Sequence, residues 1–319
     1  MSSGELGLVG DIGATNTRLA LVNPDGGLDR IRVLATDDYP GLVEAIAAYL
    51  AAEAPAGKPA RAVMAVAAPV TGDEVTMTNH PWTFSGQGLR QRFGFQRVRV
   101  INDFVGNALA VPQFGKGDVV KIGGGEAAAG APIGVIGPGS GLGVSALVWN
   151  DGGDIPIHSE GGHVTMAAAD AREAAVLDLM RRRFDHVSAE RFLSGPGLIN
   201  IYNALCELSG ALAAPLSAAQ ITDLRIGQQD VHAREATQMF CAMLGTVAGN
   251  LALTLGARGG IYIAGGIVPR LGAVFKRSEF RARFESKGRM SDYVAAIPTY
   301  VIVHPSPALV GAARLLLRM

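Results

Sequence analysis

Three times along the chain a short apolar run gives way to a turn of small residues and then to another regular element. Leu8-Val9-Gly10 runs into Asp11-Ile12-Gly13-Ala14-Thr15-Asn16, and residues 17–22 read as a second strand, closed by Asn23-Pro24-Asp25-Gly26-Gly27. Residues 131–136 predict a strand, followed by Gly137-Pro138-Gly139-Ser140-Gly141-Leu142-Gly143 and a strand over residues 144–149. Residues 261–264 predict a buried strand, then the pair Gly265-Gly266 and a helix start.

The stretches between them alternate in type. Leu28–Ala35 predicts a third strand. Pro40 stands where a first helical residue would, with Leu42, Ile46 and Leu50 on one face and Ala54-Pro55-Ala56-Gly57 as the breaker. Residues 61–67 form a compact apolar strand, residues 71–78 an edge hairpin, and Asn79 to Ser85 an irregular stretch. Ser85 caps a short helix through Arg92. Arg97-Val98-Arg99-Val100-Ile101 is a strand with Asn102-Asp103 at its carboxyl end, where ligands gather in open α/β sheets, and residues 104–111 are helical.

Residues 115–130, rich in Gly and Ala, place a lobe boundary. Beyond them lie Ser159-Glu160-Gly161-Gly162-His163, a helix over residues 171–184 ending in Arg181-Arg182-Arg183, and a polar connector over residues 186–197. Helices follow over residues 198–208, 217–226 and Val231–Leu255, with a last strand over residues 299–304 and a last helix, Pro307–Leu317. This predicts an α/β lobe and a second, mostly helical one.

Composition narrows the class. A chain of 319 residues, 49% hydrophobic and 18% charged, is too long for one simple core. A net charge of zero and no basic run favour neither nucleic acid nor an anionic membrane as partner. No run of about 18 uninterrupted apolar residues occurs, so no transmembrane helix is expected. Met1-Ser2-Ser3-Gly4-Glu5 lacks the regions of a signal peptide, and the two cysteines, Cys206 and Cys241, read as buried thiols in a reducing compartment; a cytoplasmic location is expected.

Each candidate group has a plain structural use beside a chemical one. The 10–16 turn aims backbone N–H groups at an anion while Asp11 holds magnesium directly or through water; alternatively its Asp and Asn only satisfy turn geometry. Asp103 is a general base or the cap of its helix. Glu160 and His163, separated by two glycines, turn into one pocket, or His163 is a satisfied structural histidine and Glu190 a solvated helix start. Neither turn is a Walker loop, since no Gly-Lys-Ser/Thr follows, and the strand after residue 143 argues against a dinucleotide fingerprint.

Taken in order, Gly10-Asp11-Ile12-Gly13-Ala14-Thr15-Asn16, Ile101-Asn102-Asp103-Phe104, the 137–143 turn, Glu160-Gly161-Gly162-His163, Ser188-Ala189-Glu190-Arg191, Leu193-Ser194-Gly195-Pro196-Gly197 and Ile263-Ala264-Gly265-Gly266-Ile267-Val268-Pro269-Arg270 resemble the bacterial glucokinase family, in its branch without zinc-binding cysteines. Ala14, Ser140 and Pro138 depart mildly from that pattern; Pro138 has no N–H to offer a phosphate. The resemblance implies a two-lobe actin-like (ribonuclease H-like) sugar kinase fold with the active site in the cleft. The small α/β lobe would comprise residues 1–113 and 304–319, the larger α+β lobe residues 114–303.

It further implies transfer of the γ-phosphoryl of ATP to the 6-hydroxyl of D-glucose, the first step of glycolysis, with Mg2+ and in a homodimer. Asp103 would be the base, and Asn102, Asp103, Glu160, His163 and Glu190 would bind glucose. Gly10, Asp11, Ile12, Gly13, Ala14, Thr15, Gly139, Ser140, Gly141, Gly265 and Gly266 would bind ATP, with Asp11 near magnesium, through water. Another hexose kinase of this fold remains an alternative. A sugar-sensing repressor lacks its helix-turn-helix here, and a filament-forming ATPase has no use for the Glu/His set.

Overall fold

A computed structural model describes residues 6–54, 58–223 and 225–319. The breaker at Pro55, Ala56 and Gly57, the N-terminal Met1 to Glu5, and Leu224 within the expected 217–226 helix lie outside the described residues. In chain order the first elements are β1 (Gly7–Ile12), β2 (Asn16–Val22), β3 (Leu28–Ala35), α1 (Leu42–Glu53), β4 (Arg61–Val66), β5 (Glu74–Thr76), β6 (Thr83–Ser85), α2 (Gly86–Phe93), β7 (Arg97–Asn102) and α3 (Asp103–Ala110). Next come β8 (Val119–Gly123), β9 (Ile133–Pro138), β10 (Leu142–Asn150), β11 (Gly153–Ile157), α4 (Ala171–Arg181), α5 (Gly195–Leu208), α6 (Ala218–Thr222), α7 (Ile226–Gln229) and α8 (Val231–Leu255). The last are β12 (Ile261–Ile263), α9 (Ile267–Leu271), α10 (Ala273–Lys276), α11 (Phe280–Glu285), α12 (Ser291–Ala295), β13 (Thr299–Ile302) and α13 (Pro307–Leu317).

The chain divides into two compact units. The first holds the described residues up to Lys116, with Pro156–His158 and His304–Met319. Its five-stranded sheet has the order β3-β2-β1-β4-β7. β1, β4 and β7 run parallel, and their carboxyl ends align: Ile12 faces Val66, and Val66 faces Asn102. Leu8, Ile12, Leu19, Ile46, Met64 and Trp82 fill the core on one face. On the other, α3 and α13 pack together through small residues, with Ala308 and Gly311 against Gly106. Arg314 Nη1 donates to Leu109 O at 3.0 Å.

The second unit holds Gly117–Ile155 and Ser159–Val303. Its six-stranded sheet has the order β11-β10-β9-β12-β13-β8. Phe192, Tyr202, Phe240, Phe280 and Phe284 are buried in one core with Leu198, Ile201 and Met243. α8, 25 residues long, is by length and composition apolar enough to cross a membrane. Its Ala236, Phe240, Cys241, Met243, Leu244 and Ala248 are instead buried in this core. Both cysteines are buried and free; burial pushes the Cys241 thiol up to about 12.

Several expectations need correction. α1 starts at Leu42 with Gly41 as its cap, so Pro40 precedes the helix. Thr83–Ser85, read as irregular, is the strand that completes the hairpin with β5. α4 stops at Arg181. β8 lies inside the stretch read as the lobe boundary; it is only five residues long with glycines on both sides, and its pairing partner β13 is far along the chain. β11 was likewise not expected; Pro156 and exposed alternate residues suit its place at the sheet edge.

Candidate active site

In the first unit the sheet edge sets the geometry. Gly13 follows β1, Ala67 follows β4 and Asp103 follows β7, all at the aligned carboxyl ends. Ala67 N–H donates to Ile12 O (3.1 Å), and Asn102 Nδ2 to Ala68 O (3.2 Å), so the three exits are tied together. The first turn is closed by Gly13 N–H to Asn16 O (3.0 Å). Thr36 braces it from outside: its hydroxyl donates to Gly13 O (2.9 Å) and its N–H to Thr15 O (3.0 Å). Thr17 and Thr36, both fully buried, pair through their hydroxyls at 3.1 Å. Among the described residues, no protein acceptor takes the N–H of Ala14 or Thr15 outside regular pairing, so both amides are open.

The helix after β7 is capped by Asn102. Its Oδ1 accepts from Phe104 N–H (2.8 Å) and Val105 N–H (3.4 Å). Asp103 opens the helix, with Oδ1 3.0 Å from Phe104 N, but capping does not require it. Asn102 keeps one Nδ2 hydrogen beyond its bond to Ala68, enough for one sugar hydroxyl.

Asp11 is 18% exposed and pairs with Arg18 across the hairpin, Nη1 to Oδ2 3.2 Å. Burial pushes its carboxyl above the usual range, and Arg18 only partly offsets that. Among the described residues no three Asp, Glu, His or Cys side chains form a metal cage. Magnesium needs less: one or two carboxylates beside substrate phosphates and waters. Asp11, an under-solvated carboxylate beside open amides, fits that demand.

The second unit gathers its candidates around Leu142. The β9–β10 turn closes with Gly139 N–H to Gly141 O (2.8 Å), and Gly195 N–H donates to Gly139 O (2.8 Å). Glu190 Oε2 accepts from Leu142 N–H at 2.8 Å. The Leu142 carbonyl lies against Gly162, where an added Cβ would sit 1.9 Å from the oxygen. Glu160 and His163 therefore flank a segment pressed on β10, and both side chains are exposed. His186 Nε2 donates to His163 O (2.9 Å), and Ala189 N–H to Val164 O (2.9 Å), which joins this segment to the approach to Glu190. Ser194 Oγ donates to Glu190 O (2.8 Å) and accepts from Gly197 N–H (3.0 Å).

Gly265 completes the group. Its φ is +83°, and a Cβ there would stand 2.3 Å from Pro138 O at the base of the turn. Gly266 faces open space before α9. With the Gly139 amide spent and Pro138 lacking one, the donors left for a phosphate are the Ser140 hydroxyl and the Ser140 and Gly141 amides.

Asn102, Asp103, Asp11 and the first turn thus share one sheet edge in the first unit. Glu160, His163, Glu190, the second turn and Gly265 share one cluster in the second. Sequence reasoning missed Arg18 and Thr36 and gave Ser194 no role of its own. Arg18 was readable from hairpin register, since Asp11 and Arg18 pair directly. Thr36 was not, because nothing local links it to Gly13.

The glucokinase family model matches residues 8–319. A glucokinase from Aromatoleum aromaticum is 51% identical over 307 residues, covering 96% of this chain and 93% of that protein. The crystal structure of a glucokinase from an Antarctic psychrotroph superposes with a TM-score of 0.89 at 36% identity, covering 99% of both chains. A ROK family glucokinase from Streptomyces griseus, solved with glucose and AMPPNP, shares the fold at 18% identity, with a TM-score of 0.67 over 98% of this chain and 100% of that one. On this sequence match and this sugar kinase fold of the actin-like class, the chain belongs to the glucokinase family.

Proposed function

We propose that the chain transfers the γ-phosphoryl group of ATP to the 6-hydroxyl of D-glucose, the entry step of glycolysis, with Mg2+ as the assisting ion. The observation that carries this reading is the aligned sheet edge, which a carboxylate not needed as a cap shares with a turn that has two open amides. The glucose and AMPPNP held by the Streptomyces griseus relative support the substrate pair.

Phosphoryl transfer asks the protein for positioning and charge stabilisation more than for covalent chemistry. Asp103 accepts the proton of the sugar hydroxyl as its oxygen bonds to phosphorus and the bond to ADP breaks. Asn102, Glu160, His163 and Glu190 hold the remaining hydroxyls. The amides of Ala14 and Thr15, and those of Ser140 and Gly141 with the Ser140 hydroxyl, receive the phosphates; Gly265 and Gly266 leave room for the nucleoside. Bound through Asp11, magnesium would neutralise charge on the phosphate oxygens.

A coupled assay with ATP and a panel of hexoses tests the reading. Turnover highest with glucose is expected, and no ATP-dependent phosphorylation of any hexose would end it. Asp11→Ala is expected to raise the magnesium requirement and the KM for ATP while glucose affinity stays near normal. Loss of glucose binding instead would show that the first turn serves the sugar.

Glu190 carries two duties, since one carboxylate oxygen holds the second turn at Leu142. Glu190→Ala leaves that N–H unpaired, a loss of about 1–3 kcal/mol. The KM values for glucose and ATP are therefore expected to rise together, each roughly tenfold to a hundredfold. Glu160→Ala should raise the glucose value alone. Steady-state kinetics with each substrate varied separate the two, and an unchanged KM for ATP in Glu190→Ala would refute the latch.

A further inference from the structure

A second charged site lies in the first unit, on the edge strand β7. Arg97-Val98-Arg99-Val100 alternates, so the valines pack against the core while both arginines stand exposed on the other face, about 7 Å apart. With Arg90 from the last turn of α2, Gln96, and Leu315 and Arg318 from the end of α13, they line a pocket of about 460 Å³. Four guanidinium groups thus converge in a chain whose net charge is zero.

Elsewhere several arginines are neutralised one by one. Arg18, Arg32, Arg172, Arg181, Arg183, Arg281 and Arg283 each pair with a carboxylate. Among the described residues no carboxylate side chain pairs with Arg90, Arg97 or Arg99. Arg97 donates to an oxygen of Met319, whose terminal carboxylate also lines the pocket. That carboxylate offsets part of the charge; the like charges left in the concavity repel one another, and a bound anion relieves the repulsion. The planar fork of arginine matches phosphate oxygens two at a time. The volume lies within the range of small-molecule sites and exceeds what a lone phosphate fills.

We propose that this pocket binds a small anion bearing phosphate groups, either a sugar phosphate or an inorganic oligophosphate. The ligand joins α2, β7 and α13. β7 leads directly into Asn102 and Asp103, and α13 packs on α3, so occupancy tightens the elements that carry the base. The inference is separated from the reaction proposed above, whose product is glucose 6-phosphate, because its readout is the loss of affinity in the arginine variants and not binding alone.

Isothermal titration of the full chain at low salt, with glucose 6-phosphate in one arm and inorganic tripolyphosphate in the other, tests it. At least one arm is expected to bind, to weaken as salt rises, and to lose roughly tenfold or more in affinity in Arg90→Glu/Arg99→Glu. The arm that responds identifies the ligand class. Arg99→Gln provides the same comparison if the double variant does not fold, with a smaller loss expected. Equal affinity in wild type and variants would place the anion elsewhere and overturn the proposal, as would no binding in either arm.

Discussion

Replacing Asp103 by asparagine is expected to lower kcat by roughly 10²–10⁴ while the protein stays folded. The side chain keeps its shape but loses the ability to take a proton. The structure removes the main competing explanation, because the cap of α3 is Asn102 and both of its bonds to Phe104 and Val105 survive the change. Loss of a cap would cost about 1 kcal/mol and show as a lower Tm. The variant should therefore show near-native Tm and circular dichroism, unchanged substrate KM values within a few fold, and almost no turnover. Near-normal kcat would remove Asp103 from the role of base, and a large drop in Tm would return it to a structural one.

The place of Asp103 at the sheet edge was legible from local signals. An alternating run from Arg97 to Ile101 ends in two small polar residues before a helix, and in a parallel sheet such an end faces the ligand edge. The small-residue turns were legible for the same reason, since glycine and short polar residues mark where the chain must bend between strands. Which residue caps α3 was not legible, because Asn102 and Asp103 are both good caps and only the backbone geometry decides between them. Glu190 was read as a sugar ligand, and its bond to Leu142 could not be anticipated, since the two are 48 residues apart. β8 and β11 failed as sequence signals because a short edge strand is defined by its partner more than by its own pattern.

The same nonlocal logic makes Gly311 the most vulnerable position away from the chemistry. α13 reaches α3 so closely that a Cβ at Gly311 would lie 1.8 Å from Gly106 O and 3.1 Å from Ala110 N. Both atoms belong to the backbone of α3, so no side chain can rotate away and one helix must shift. Overpacking typically costs about 1–3 kcal/mol, and a clash with main chain belongs at the upper end. Gly311→Ala is thus expected to lower Tm by several degrees, on the order of 2–4 °C per kcal/mol for a large domain. It should also lower kcat, because the shift is applied to the helix whose first residue is Asp103. Gly117→Ala is the control: an added Cβ there meets nothing within 4 Å. Differential scanning calorimetry and kinetics on the two variants separate a clash from the ordinary effect of adding a methyl group. If Gly311→Ala melts with the control and turns over normally, the two helices are not locked, and the C-terminal helix does not set the position of the base.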